Sequence, residues 1–137
     1  MKHWNTLTQA QKIIRWENVL RVLRGLSRHE RKKHWNMADW GEKTDCGTVA
    51  CAAGHCGLDP WFRRQGLKFN FTKYAFTNEY FGNWDVCTDT NDFTVDHFFG
   101  DVGTYNIFYN GDARPVGKVI NEVRCHLTQL RKGKDLR

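Results

Sequence analysis

Apolar positions recur with helical spacing near both ends of the chain and lose that rhythm in the middle. Ile13, Trp16, Val19, Leu20, Leu23 and Leu26 hold the three-and-four spacing that the buried stripe of an amphipathic helix requires. Lys12, Arg15, Arg21 and Arg24 fall largely on the other side. Thr8 and Gln11 have capping-box spacing, in which the hydroxyl accepts from the third helical N–H while the amide reaches back. Gly25 suits the end, so the spacing predicts a helix from Thr8 to Arg24. At the far end Pro115 opens a second long helix. Val116, Val119, Ile120, Val123, Leu127 and Leu130 share one of its stripes. Arg131 and Lys132 complement the C-terminal dipole ahead of Gly133.

The middle reads differently. Residues 46–58, CGTVACAAGHCGL, carry almost no side-chain bulk. Such a run lets other backbone approach closely, and it predicts a small central helix wrapped by bulkier segments. Asp59-Pro60 ends it and starts another, because Asp59 can cap and Pro60 fits a first helical position that needs no N–H. Gly66 closes that piece. Residues 67–71, LKFNF, alternate with period two and predict a short half-buried strand. Residues 27–34 read as a polar, basic connector with a helical turn. Trp35, Met37 and Trp40 mark an ordered loop or short strand whose aromatics cover the small helix. Residues 72–92 have the mixed aromatic, Asn, Asp and Gly content of loops and hairpins. Asp92 to Phe99 predicts two helical turns ended by Gly100, and a further turn covers Tyr105 to Tyr109.

Together these elements predict an α+β, helix-dominated compact single domain. Long N- and C-terminal amphipathic helices surround a small-residue central helix, with a minor strand or hairpin region from 67 to 91 and frayed ends at 1–7 and 133–137. At 137 residues, with 40% hydrophobic and 26% charged side chains, the chain can bury its own core and is not of the disordered class. No apolar run is long enough for a membrane span. The start lacks the apolar core of a signal peptide, so the expected setting is a cytoplasm with reduced thiols.

The net charge of +6 hides a division. Residues 1–34 carry a net +7, residues 35–113 a net −6, and residues 114–137 a net +5. Basic ends around an acidic middle suit a nucleic-acid face, an acidic protein partner or attraction between the parts. The candidate contact residues are Arg15, Arg21, Arg24, Arg28, Arg31, Lys32 and Lys33 at one end, and Arg124, Arg131 and Lys132 at the other.

Three motifs carry a family likeness. They are CGTVACAAGHCGLDPWFRRQGL (46–67), DHFFGD (96–101) and the Pro-Val-x-x-Val-Ile helix start (115–120). With the preceding Trp35-Asn36-Met37-Ala38-Asp39-Trp40, the chain resembles a set of small bacterial and phage proteins. These have a CGTxxCxxG segment followed by a DPWFxxxGL-like stretch. The resemblance implies an intracellular or phage setting and assigns no activity.

The Cys-rich segment admits three chemistries. In the first, Cys46, Cys51 and Cys56 are small buried packing groups, the common state of a free cysteine. In the second, Cys46, Cys51 and His55 bind zinc, with His97, Cys87 or Cys125 as a fourth ligand. Cys51 and His55 are four apart and would share a helix face. That spacing is not the paired C-x2-C of zinc ribbons. In the third, Cys46 at a helix N-terminus is a thiolate nucleophile, with His55, His97 or His126 as base. Asp85, Asp89, Asp92 and Asp96 lack the Gly and closing Glu of a calcium loop. The leading expectation is a non-enzymatic binding protein without cofactor, such as a phage or mobile-element accessory factor. It would act on a protein partner, or on nucleic acid, through its basic helical surfaces, and it would not act on a membrane. A cysteine- or zinc-dependent enzyme is the rival class.

Overall fold

The computed structural model describes residues 2–33, 35, 42–44, 47–49, 51–70, 75–76, 88–108 and 114–134. It is helix-dominated. Helix α1 (Gln9–Arg24) begins at Thr8 with both capping-box bonds formed: the Gln11 N–H donates to Thr8 Oγ1 at 3.2 Å, and the Thr8 N–H donates to Gln11 Oε1 at 2.9 Å. A short helix α2 (Arg28–Lys33) follows, started by the Arg31 N–H on the Ser27 carbonyl. Helix α7 (Val116–Arg131) follows and buries Val116, Val119, Val123, Leu127 and Leu130 of the stripe that the spacing predicts, with Ile120 partly buried against it.

Helices α1 and α7 make the principal seam. Gln9 Nε2 donates to the Leu130 carbonyl, and the Trp16 ring meets the His126 ring at 4.5 Å. The start of α1 therefore lies at the end of α7, and the two helices run in opposite directions. Trp16 is fully buried, stacked on Phe108 at 5.5 Å and tilted against Phe99 at 5.3 Å. Those rings come from α5 (Thr88–Phe99), which is longer than the two expected turns, and from a π-helical turn, Thr104–Phe108, which follows the single turn α6 (Asp101–Gly103). A Cβ on Gly103 would collide with Trp16, so the α6 turn reaches the seam only because that residue has no side chain.

The central run departs from its expected form. Gly47–Val49 is a strand, β2, paired antiparallel with β1 (Glu42–Thr44) in the register Lys43↔Thr48. β-branched Thr48 and Val49 favour extended backbone over helix. The helix, α3, is shorter: Ala52–Leu58, with Cys51 at its N-cap. Its residues from Ala52 to Gly57 are all buried, as a wrapped post requires. Gly57 is the contact point for a second hairpin, β3 (Phe69–Asn70) with β4 (Ala75–Phe76). A Cβ there would lie 2.8 Å from the Phe76 ring and 2.9 Å from Phe69. Phe69 is buried and Asn70 exposed, the alternation expected of this strand.

Asp59-Pro60 behaves as its sequence says. Asp59 ends α3, and its carboxylate accepts from the N–H groups of Trp61 and Phe62 to cap α4 (Pro60–Arg64). Within the N-terminal stretch expected to fray, the described residues include one that is tied to the core. Trp4 lies in a 3-10 turn (Trp4–Thr6), is 1% exposed, and packs against Gly100, which ends α5 with φ +84°.

Candidate functional site

From Cys51 to Gly57 the Cys–His segment is interior. Cys51 is 3% exposed, and its Sγ accepts the Gly54 N–H at 3.4 Å in place of a capping oxygen. This cap satisfies one of the donors that a helix N-terminus leaves open. His55 is buried beneath Trp35, their rings stacked at 5.8 Å with 12° between planes. Trp35 is itself anchored by its indole N–H on the Arg114 carbonyl at 2.8 Å. Trp35 thus covers α3 as its sequence position suggests. Cys56 is fully buried, and burial pushes its thiol well above the ordinary range, so it does not ionise near neutral pH.

Cys46 and Cys87 lie outside the described residues. The helix start expected at Cys46 is instead at Cys51, which removes the dipole argument for a Cys46 thiolate. Among the described residues no group of three His, Cys, Asp or Glu is placed to hold a metal. His97, the expected remote base, stands edge-on to His3 at 4.5 Å, where the N-terminal turn meets α5. Burial, with the neighbouring His97, lowers the His3 pKa, while Asp101 opposes the shift.

The candidate basic residues divide by what holds them. Arg15 is 4% exposed and belongs to no outer face. Its guanidinium lies over the Phe98 ring at 3.8 Å and donates to the carbonyls of Phe98 at 2.6 Å and Lys2 at 2.9 Å. It is a brace joining α1, α5 and the N-terminal segment. Arg21 is exposed, but it forms a two-pronged pair with Asp59 at 3.1 and 2.7 Å. Burial would raise the Asp59 pKa, yet the bonds from Arg21 and from the capping N–H groups hold it below the usual carboxylate value. Arg21 and Asp59 thus pin α1 to the α3–α4 corner.

The remaining cations are outward. Arg24, Arg28, Arg31 and Lys32 are exposed at the α1–α2 junction, and the Lys33 side chain lies outside the described set. Arg31 also donates to the Leu26 carbonyl. On α7, Lys118, Arg124, Arg131 and Lys132 are exposed with Asn121 and Thr128. At about 100° per residue they fall within an arc of roughly 140° on one side of the helix. The nearest carboxylates are engaged: Glu122 pairs with buried Arg114, and Glu17 approaches Arg131 at 3.8 Å. Because α1 and α7 are antiparallel, the junction group and the C-terminal group of α7 lie at opposite poles, roughly 20 Å apart along the helices.

His126 is the buried titratable group that the pattern conceals. It lies three residues after Val123 and four before Leu130, on the apolar stripe, so its spacing alone places it inside. Burial lowers its pKa to about 4. Among the described residues neither His126 Nε2 nor Trp16 Nε1 has a hydrogen-bond partner. The exposed Lys118 lies outside the expected contact set; its place on the α7 face opposite the apolar stripe was the available signal.

No protein-family model, curated protein or solved structure matches the chain.

Proposed function

We propose that this chain is a non-enzymatic binding protein that engages a macromolecular partner through the exposed cations of α7 and the α1–α2 junction. One observation carries the reading. The outward side of α7 presents Lys118, Arg124, Arg131 and Lys132 together, while the only carboxylate on that helix, Glu122, is turned to Arg114. Arg131 meets Glu17 only at 3.8 Å between two exposed groups, a weak pair, so the cations of this face stay open to another molecule. The buried state of Cys51, His55 and Cys56 supports the same reading, because thiol or metal chemistry needs access to substrate or ion. The likeness to small bacterial and phage proteins favours an accessory role on a host factor in the cytoplasm.

The test is capture from a bacterial lysate by the wild-type chain and by Arg124→Glu with Arg131→Glu. The double variant should stay folded, losing only the weak Arg131–Glu17 pair and a dipole contact that cost about 1 kcal/mol or less each, and lose the captured partner. A partner retained by the double variant contradicts the reading. The acidic middle of the chain favours a protein over nucleic acid, and salt separates the two. Four or five phosphate contacts would weaken binding by roughly two to three orders of magnitude between 50 and 200 mM salt. A protein partner should show a shallower dependence.

A further inference from the structure

The N-terminal turn, α1 and α4 enclose a cleft of about 240 Å3 that the basic faces do not include. Its walls are apolar: Leu7, Ile14 and Trp61. Ile14 is 48% exposed, the most open large aliphatic side chain among the described residues, and the cleft is where it faces. The polar lining consists of donors. Lys2 and Arg64 are exposed cations, and among the described residues neither has an ion-pair partner. Gln11 spends its carbonyl oxygen on the Thr8 N–H, which leaves its NH2 as the free end. Among the described residues no Asp or Glu lines the cleft.

Its floor is fixed. Arg15 is pinned by the carbonyls of Phe98 and Lys2 and stacked on Phe98, so the wall that carries Lys2 is tied to α1. The volume decides between ligand classes. Small-molecule pockets run from roughly 300 to 1,000 Å3 and enclose most of their ligand. This cleft is smaller and open, and has room for about one large side chain. An apolar slot rimmed by donors fits an apolar residue flanked by carboxylates. A nucleic-acid backbone would use the cations and leave the apolar walls uncovered.

We propose that this cleft seats a single apolar anchor residue of an acidic peptide segment on a protein partner. The proposal rests on the protein-binding reading above and gives it a specific seat. Negative charge on the segment meets Lys2 and Arg64, its carboxylates accept from Gln11 and Gln65, and the anchor covers Ile14 against Trp61.

The test is selection of a random twelve-residue peptide display library on the full wild-type chain. Enriched sequences should be acidic and share one Phe, Trp, Leu or Ile. A synthetic peptide of the enriched sequence should bind about tenfold or more weakly to Ile14→Asp and to Arg64→Glu. Both variants should melt within about 3 °C of wild type, because both sites are exposed; the two walls give independent readings if one variant is less stable. Enriched peptides that are basic or lack an anchor overturn the proposal, as does the absence of enrichment. Binding that survives Ile14→Asp and is lost in Arg124→Glu with Arg131→Glu overturns the cleft and leaves the basic-face reading standing. Displacement of the peptide from the cleft by a random-sequence oligonucleotide overturns it in favour of a nucleic-acid ligand.

Discussion

Helix α3 and the outward side of α7 hold the two kinds of chemistry that the sequence offers, and the fold treats them in opposite ways. On α3 the thiols and the imidazole are turned inward: Cys51, His55 and Cys56 are buried among small residues and aromatic rings. On α7 the cations are turned outward, within one arc of the helix. A nucleophile or metal ligand in the interior contributes packing, whereas a cation in water contributes long-range attraction. Residue type therefore says what a side chain is able to do, and burial says which of those things it does here. Interior substitutions should move stability, and exterior substitutions should move binding.

The strongest challenge to the interior half of that contrast is Trp16→Ala. Trp16 joins α1, α5, the π turn and α7, and its removal leaves a large void. A loss of about 3–5 kcal/mol is expected, read from denaturant midpoints at constant m-value. A loss below 1 kcal/mol would mean that the α1–α7 seam is not the centre of the core.

The next largest effect comes from pH. The folded His126 pKa of about 4 lies below its ordinary value of 6.5. Between those values the unfolded chain binds a proton that the folded chain excludes. Stability is thus complete above pH 6.5, falls as pH drops towards 4, and levels off below. The span corresponds to about 3 kcal/mol. His3, also lowered by burial, acts in the same direction. Asp59, held below its ordinary value, loses its contribution only as pH falls through that lower value. Denaturant midpoints taken from pH 4 to 7 should rise with pH, and His126→Leu should remove most of the slope. An unchanged slope in that variant would place the titration elsewhere.

A smaller effect sharpens the boundary between inside and outside. Asp59→Ala removes the α4 cap and releases Arg21, and should cost about 1–2 kcal/mol, mostly from the cap. Arg21→Ala at the exposed end of the same pair should cost about 1 kcal/mol or less. If Arg21→Ala proved the costlier change, the pair and not the cap would be the fastening.

What was legible in the sequence was local. The Thr8–Gln11 box, the Asp59-Pro60 corner and the α7 stripe each depend on residues within a turn or two, and each formed as their spacing predicts. The errors came where residues outside the element decide. Gly47–Val49 read as helix because its neighbours are small, yet it pairs with Glu42–Thr44 as a strand. Arg15 read as an outer cation, but carbonyls at Lys2 and Phe98 draw it inside. Trp4 read as part of a frayed end, but Gly100 offers it a seat 96 residues away. The cysteine segment was legible as a buried post from Ala52 onward, because small residues bounded by aromatics signal close packing. Its chemical disposition was not, since spacing left packing, zinc binding and thiolate chemistry all open, and only the burial of Cys51, His55 and Cys56 separates them.

The contrast places Cys51, His55 and Cys56 inside the fold and the cations of α7 outside it. The most direct measurement is the rate at which each cysteine of the native protein reacts with a thiol reagent, read by peptide mass mapping. Cys125, exposed on α7, should label within the mixing time of the reagent's intrinsic reaction, while Cys51 and Cys56 should label only as fast as the protein unfolds. Labelling of Cys51 or Cys56 at the Cys125 rate, under conditions where the fold is intact, would contradict the claim and return the segment to consideration as a reactive site.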